Sequence, residues 1–247
     1  MSSSPNLYLL IALAPLAGPD WRERLVLDAG PEHVSGGVWL HGASVGELNS
    51  VRPLVQALAA QMPVLVTANT VTGRGVAQGW GLPARLAPLD VPGAVRRFLD
   101  AARRALMLTV ENEIWPNRAA AALARGIPQA VIGARMSARS ARGWGRARGL
   151  IGPVLAALDL LSAQDADSES RLLALGLPPH ALAPRLNLKL LGPAAVAPPA
   201  EDPRRAHVWL AASTHQGEEA AILAAHAALR RSHPDLRLIL APRHPRR

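Results

Sequence analysis

Residues 38–61, "VWLHGASVGELNSVRPLVQALAAQ", decide the fold. A short apolar run enters a turn of small side chains, Gly42, Ala43, Ser44 and Gly46, and there the pattern changes period. From about Glu47 to Gln61, Leu48, Val51, Leu54, Val55 and Leu58 recur at helical spacing and form one apolar face. A buried strand, a tight turn and an amphipathic helix make a βα unit. Glu47 stands in the first turn of that helix. A carboxylate there either complements the helix dipole, by about 0.3–1 kcal/mol, or acts as a base at the edge of a cleft. Position alone leaves both readings open.

Working outward, the same alternation recurs. Short apolar runs appear at "GVWLHGA", "VLVTAN", "LMLTV" and "QAVIGA", each bounded by Gly, Pro or polar turns as buried strands are. Helical stretches lie between them, including "AVRRFLDAARRA" after Pro92 and "NRAAAALARG" after Pro116, the latter stopped by Gly126. Alternating strand and helix predicts an α/β fold, a Rossmann-like domain with a mainly parallel sheet and helices on both faces. The periodicity breaks at residues 190–205, "LLGPAAVAPPAEDPRR", which reads as a linker over 191–205. After it "VWLAASTHQGE", from Val208, echoes "VWLHGASVGE", and the strand "LRLILAP" follows. Residues 206–247 therefore read as the first βαβ of a second Rossmann-like domain. A piece that small does not close a core alone, so the chain is expected to be C-terminally truncated.

Composition narrows the function. The chain has 247 residues, 49% hydrophobic and 18% charged, which excludes wholesale disorder. It has no cysteine, so disulfides and thiolate metal sites are out. A net charge of +9 points to an anionic partner. One Tyr, one Phe and six Trp give few stacking platforms, so nucleic acid is not the expected partner. The apolar run in "NLYLLIALAPLAG" is too short to span a bilayer and has no basic region ahead of it. Residues 1–36 are read as an apolar, membrane-associated segment, with a buried N-terminal helix as the alternative.

Several residues fall where an open parallel sheet binds ligands, beyond the carboxyl ends of its strands. Glu47 follows the first strand, and Gly46 keeps bulk away from it. Glu111 and Glu113 of "VENEIWPN" follow another, so Glu111 is placed to share a cleft with Glu47, or one of the pair caps the next helix. Thr67, Thr70, Thr72 and Gly73 of "VTANTVTGRG" are small donors for hydroxyls or phosphates, or ordinary turn and cap residues. "GARMSARSARGWGRARG" carries Arg135, Arg139, Arg142, Arg146 and Arg148, either an anion-binding run or a solvated face. Lys189 precedes the linker, and Arg243 with His244 follows a strand. Ser44, Gly46, Thr70 and Arg135 are taken as substrate contacts. No histidine has metal-ligand spacing, and dinucleotide and P-loop motifs are absent, so neither a metal nor a cofactor is expected.

Together these segments resemble the 3-deoxy-D-manno-oct-2-ulosonic acid (Kdo) transferases, GT-B-fold glycosyltransferases of Gram-negative lipopolysaccharide assembly. The matching motifs are "HGASVGE", "TANTVTG", "PLDVPGAVRRFL", "ENEIWPN", "GARMSARS", "AQDADSESRLLALG", "NLK", "AASTHQGEE" and "PRHPRR", in order from about residue 37 to the end. The resemblance implies an acceptor-binding domain over 37–190 and the start of the CMP-Kdo-binding domain over 206–247. It implies Glu47 as general base, Glu111 and Lys189 as transition-state stabilisers, and Pro242 and Arg243 as contacts to the CMP of the donor. It further implies an inverting, metal-independent transfer of Kdo to a lipid A precursor, at the cytoplasmic side of the inner membrane, on an anionic lipid surface. The chain departs from the family pattern in "ENE" for the usual Glu-Thr-Glu, "GARMS" for Asn-Ala-Arg-Leu-Ser, and "LNLK" without its usual Gly. The family's later glycine-rich and Asn-Pro-containing nucleotide-binding segments do not occur. The alternative is a truncated, non-catalytic module that docks anionic lipid. A nucleic-acid binder ranks last.

Overall fold

A computed structural model describes residues 19–28, 36–102, 105–111, 113–190, 197 and 200–244. The expectation for the apolar run at residues 7–17 lies outside them. The chain divides into two compact units, Met1–Ala195 and Val196–Arg247, a division that falls inside the Pro-rich stretch.

In the first unit helix α1 (Pro19–Arg24) precedes β1 (Val38–His41), α2 (Val45–Ala59), β2 (Val64–Ala68), α3 (Val71–Gln78) and β3 (Ala84–Leu86). Helix α4 (Pro92–Ala102), β4 (Leu106–Val110), α5 (Pro116–Leu123) and β5 (Gln129–Ala134) follow. Then come α6 (Ala138–Arg146), α7 (Arg148–Ala156), β6 (Leu160–Ala163), α8 (Ala166–Leu175) and the two-residue β7 (Leu182–Ala183). The seven strands form one sheet in the order β3-β2-β1-β4-β5-β6-β7, with every pairing parallel. The order reverses at β1/β4, the switch point where open α/β sheets bind ligands.

Parallel strands are covered on both faces, which is why β1 and β2 are buried along their whole length. Alternate residues serve opposite layers. Val38 and Leu40 pack with Val64, Val66 and Leu48, Val51 and Val55 of α2. Trp39 turns to the other face, among Leu65, Met107 and Val95, Phe98 and Leu99 of α4, with its ring 4.5 Å from Phe98. A third cluster joins Ala134, Leu161 and Ala163 to Ile151, Leu155, Leu172 and Leu175 under α7 and α8.

The structure adds elements that periodicity alone does not separate, namely β3, α3, β6, β7 and helices α6 to α8. Helix α2 begins at Val45, two residues before the predicted start, because Ser44 caps it. The stretch 19–28 docks on this unit. Leu25 and Val26 are buried, Arg97 donates to their carbonyls, and Glu23 pairs with Arg74 and accepts from the Leu86 N–H at 2.8 Å. No described helix is long and apolar enough to cross a membrane.

The second unit holds β8 (Val208–Thr214), α9 (Glu218–Leu229) and β9 (Arg237–Pro242), with the two strands parallel. Leu210, Leu223 and Ile239 are exposed on it.

Gly133, in β5, has φ +65°, and a Cβ there would lie 2.8 Å from Leu188 Cδ1. Leu188 neighbours Lys189 on a 3-10 turn, so this close approach fixes the lysine's perch. Gly133→Ala is expected to cost about 2–4 kcal/mol through left-handed strain and overpacking, measured by urea unfolding. A change below about 0.5 kcal/mol, the range of a neutral surface substitution, would rule out this role.

Candidate functional site

At the switch point three carboxylates approach one another. Glu47 is the third residue of α2. Its Oε2 accepts from the Ala43 N–H at 2.6 Å, and Ser44 Oγ donates to Oε1 at 3.3 Å. In return Ser44 Oγ accepts from the Glu47 N–H at 3.3 Å, the N-cap half of a capping box, while the Glu47 carboxylate reaches one residue further back, to Ala43. Burial pushes the Glu47 carboxyl above its ordinary value. The Ala43 N–H opposes this, and the negative charges of Glu111 and Glu113 add to the rise. The cap therefore fixes the rotamer while the surroundings favour proton uptake.

Glu111 follows β4 directly, with its N–H on the Ile132 carbonyl at 2.9 Å and a left-handed φ of +58°. For a residue with a Cβ this conformation is strained. Its Oε1 lies 3.2 Å from Lys189 Nζ. Lys189 reaches in from the 3-10 turn Leu188–Leu190, so residues far apart in sequence meet as an ion pair.

Glu113 is tied down differently. It accepts from Asn69 Nδ2 at 3.2 Å, from the Trp115 indole N–H, and from His41 Nε2 at 3.4 Å. Burial alone would raise its carboxyl, but the hydrogen bond from His41, the His41 charge at acid pH, and the hydrogen bonds from Trp115 and Asn69 outweigh burial and hold it at about 2. His41 is fully buried. Burial lowers its imidazole to about 4, the Arg118 cation adds to the effect, and the Glu113 hydrogen bond opposes it. His41 is therefore neutral at pH 7, and there it gives Glu113 a hydrogen bond and no charge.

The remaining partners assign the tautomer. The Trp39 indole donates to Thr67 Oγ1 at 2.8 Å, and Thr67 Oγ1 lies 3.0 Å from His41 Nδ1. The Thr67 hydroxyl then donates to Nδ1, leaving the proton on Nε2 to face Glu113. His41 sits in register with Thr67 on β2 and Thr109 on β4, a polar row across the last rung of three buried strands.

Of the residues singled out in the sequence, Ser44, Glu47, Glu111 and Lys189 meet at this end of the first unit. Gly46 is exposed on the first turn of α2, while Gly42 owes its size to packing, since a Cβ there would meet Leu48 Cδ2 at 2.8 Å. Thr70 caps α3 by accepting from the Gly73 N–H at 3.1 Å. Arg135 lines a separate hollow at the ends of β5 and β6 with Ser137, Asp165, Asp167 and Arg171. Pro242 ends β9 in the second unit, and the Arg243 N–H donates to the Thr214 carbonyl at 3.1 Å. Glu113, which the sequence offers only as a neighbour of Glu111 or a helix cap, is joined here by His41 and Asn69, to which the sequence gives no part in the site. Their signal is a polar residue ending or following each of three neighbouring strands. Among the described residues no group of three or more His, Asp or Glu is arranged to hold a metal ion.

These shifts give the unit an acid-sensitive stability. Unfolded His41 takes a proton below about pH 6.5, the folded form only near 4, so stability falls as pH drops across that window. Glu113 loses its contribution lower, between about 4.5 and 2. Urea unfolding followed by tryptophan fluorescence is expected to show a loss of about 2–3 kcal/mol between pH 7 and pH 4, much reduced in His41→Gln. Equal stability across that range would contradict the buried neutral imidazole.

Comparison with known proteins places this geometry. The family model described as 3-Deoxy-D-manno-octulosonic-acid transferase (kdotransferase) matches residues 19–191. The chain is 37% identical to the 3-deoxy-D-manno-octulosonic acid transferase of Bordetella pertussis, over 88% of this chain and 54% of that protein. It is 33% identical to the enzyme of the same name from Haemophilus influenzae, over 98% of this chain and 61% of that protein. The chain thus spans between half and two thirds of the length of these relatives. Among solved structures, UDP-GlcNAc 2-epimerase from Neisseria meningitidis, solved bound to UDP-GlcNAc, aligns with a TM-score of 0.56 at 13% identity, covering 83% of this chain and 64% of that one. The S. aureus MnaA–UDP structure aligns with a TM-score of 0.51 at 14% identity, over 86% and 64%. At these identities the likeness speaks for the fold alone, which is α/β of the GT-B type. With its motifs in order and most of its length matched, the chain belongs to the 3-deoxy-D-manno-octulosonic-acid transferase family.

Proposed function

We propose that this chain carries the acceptor-side machinery of a glycosyltransferase that moves Kdo from CMP-Kdo to a lipid A precursor, with Glu47 as general base. The observation that carries the reading is the convergence of Glu47 with Glu111 and Glu113 at the β1/β4 switch point. An acceptor hydroxyl is a poor nucleophile. Glu47 takes its proton as the oxygen attacks the anomeric carbon, the bond from that carbon to the CMP phosphate breaks, and the electron pair leaves with CMP. Attack opposite the leaving group inverts the centre, and no step of this scheme calls for a metal. Positive charge developing at the sugar is stabilised by a neighbouring carboxylate, the role given to Glu111, with Lys189 holding that carboxylate in place. Pro242 and Arg243, at the carboxyl end of β9, are assigned to the CMP part of the donor on family resemblance.

An anionic lipid surface at the cytoplasmic side of the inner membrane is the proposed setting. Helix α6 supports it. Arg139, Arg142 and Arg146 lie within an arc of about 60° on that helix, all exposed, and none has an ion pair or hydrogen bond among the described residues. No Asp or Glu occurs between residues 138 and 158. The same stripe favours the second reading, a lipid-docking module without catalysis.

The isosteric Glu47→Gln keeps an acceptor for the Ala43 N–H and removes the base. In a full-length context, transfer from CMP-Kdo to a lipid A precursor is expected to fall about 10²–10⁴-fold with the fold intact by circular dichroism. An unchanged rate removes Glu47 from the role of base. Triple replacement of Arg139, Arg142 and Arg146 by Gln is expected to weaken flotation with anionic vesicles and leave zwitterionic vesicles unaffected. If vesicle binding persists while a full-length form of the parent transfers no sugar, the second reading takes precedence.

A further inference from the structure

Glu113 is held by only one of its two oxygens. Oε2 accepts from Asn69 Nδ2 at 3.2 Å, from the Trp115 indole N–H, and from His41 Nε2 at 3.4 Å. That crowds three donors onto one carboxylate oxygen, while Oε1 accepts from none of the described residues. The side chain keeps 19% of its surface open. With Oε2 already taken, Oε1 is the atom left to meet a molecule arriving from outside. An ionised oxygen that loses its water without gaining a donor is costly. A ligand that displaces solvent here therefore has to bring a donor with it.

Asn69 repeats the pattern. A carboxylate only accepts, so the amide turns Nδ2 to Glu113, and its own Oδ1 is then buried without a donor. Two acceptor oxygens thus lack donors within one hydrogen-bonded pair. The pair sits where the sheet binds ligands. His41 ends β1, Asn69 follows β2, and Glu113 stands three residues after β4, and these three strands are adjacent. The pair is also joined to Glu47. The Asn69 N–H donates to the Ala43 carbonyl at 3.1 Å, and the Ala43 N–H donates to Glu47 Oε2 at 2.6 Å. A run of three hydrogen bonds, through Asn69 and Ala43, therefore ties the Glu113 carboxylate to that of Glu47.

We propose that Glu113 is a substrate-binding residue, whose Oε1 accepts a hydrogen bond from a sugar hydroxyl other than the one that reacts at Glu47. The inference rests on the proposed transfer reaction and adds to it a contact that holds substrate and moves no proton. A fixed, ionised acceptor takes a neutral O–H donor as a short, charge-assisted hydrogen bond. The carboxyl held at about 2 stays ionised when Glu47 takes up a proton, so the two acids do not compete for it. Both the transferred sugar and the acceptor sugar carry hydroxyls besides the reacting one, and the contact is to one of these two sources.

The test is Glu113→Gln in a full-length form of the chain. The amide oxygen takes the place of Oε2 under the three donors, and the NH₂ takes the place of Oε1. The supporting contacts are kept, and the open position changes from acceptor to donor. KM for either CMP-Kdo or the lipid A precursor is expected to rise about 10–100-fold, the worth of a hydrogen bond to a charged group. The other KM stays as in the parent and kcat stays within about threefold, the pattern of a lost binding contact. The substrate whose KM moves carries the hydroxyl. Two unchanged KM values, an equal rise in both, or a fall in kcat alone overturns the proposal. If Glu113→Gln does not fold, Glu113→Asp decides, since it keeps the charge and withdraws Oε1 by one methylene. Both KM values within about twofold of the parent in that variant are incompatible with the contact. Calorimetric binding of CMP-Kdo and of the lipid A precursor needs no turnover and separates this inference from the transfer reading. If the parent binds both and transfers nothing, the transfer reading fails, yet weaker binding of one of them by Glu113→Gln upholds the contact and equal binding of both removes it.

Discussion

Like charges repel, and this fold brings Glu47, Glu111 and Glu113 to one end of a buried parallel sheet. Holding them there is the constraint that shapes everything nearby. Each carboxylate meets it differently. Glu47 is locked into a helix cap and pushed towards the protonated form. Glu111 sits opposite a lysine delivered from the far end of the unit. Glu113 is surrounded by neutral donors and stays ionised. Groups of one chemical type thereby acquire different protonation preferences, which is the condition for one of them to act as a base while another remains an anion.

The sheet supplies the geometry. Reversal of strand order at β1/β4 leaves the loops after those strands without a crossing connection above them, so Glu47 and Glu111 come within electrostatic reach at one end of the sheet although 64 positions separate them (111 − 47). Burial of β1 on both faces forces its polar residue, His41, to find partners within the sheet's own last rung. The indole edges, the threonine hydroxyl and the imidazole then form one directional chain of hydrogen bonds whose order follows from what each group can donate.

Much of this was legible in the chain alone. The change of period at Glu47 gave the first βα unit, and the recurrence of that pattern gave the parallel sheet. The Pro-rich stretch is where the periodicity breaks. What was not legible falls into two kinds. Helix α3 is short, carries two glycines and follows a Thr-rich turn, so its local chemistry reads as loop; only its cap and its packing on β2 and β3 make it a helix. The environments of His41 and Glu113 depend on contacts across 26 to 72 positions, His41 to Thr67 and His41 to Glu113 at the extremes.

The backbone at Glu111 carries a further consequence. A left-handed conformation is one that glycine adopts freely and glutamate does not. At this position the residue best for the backbone and the residue that supplies the carboxylate are different. A laboratory selection that rewarded heat resistance alone would drift towards glycine here and discard the acid. Endurance and chemistry pull this codon in opposite directions, and its retention of glutamate can be used as a marker when variants are sorted into those that merely fold and those that keep a working crevice.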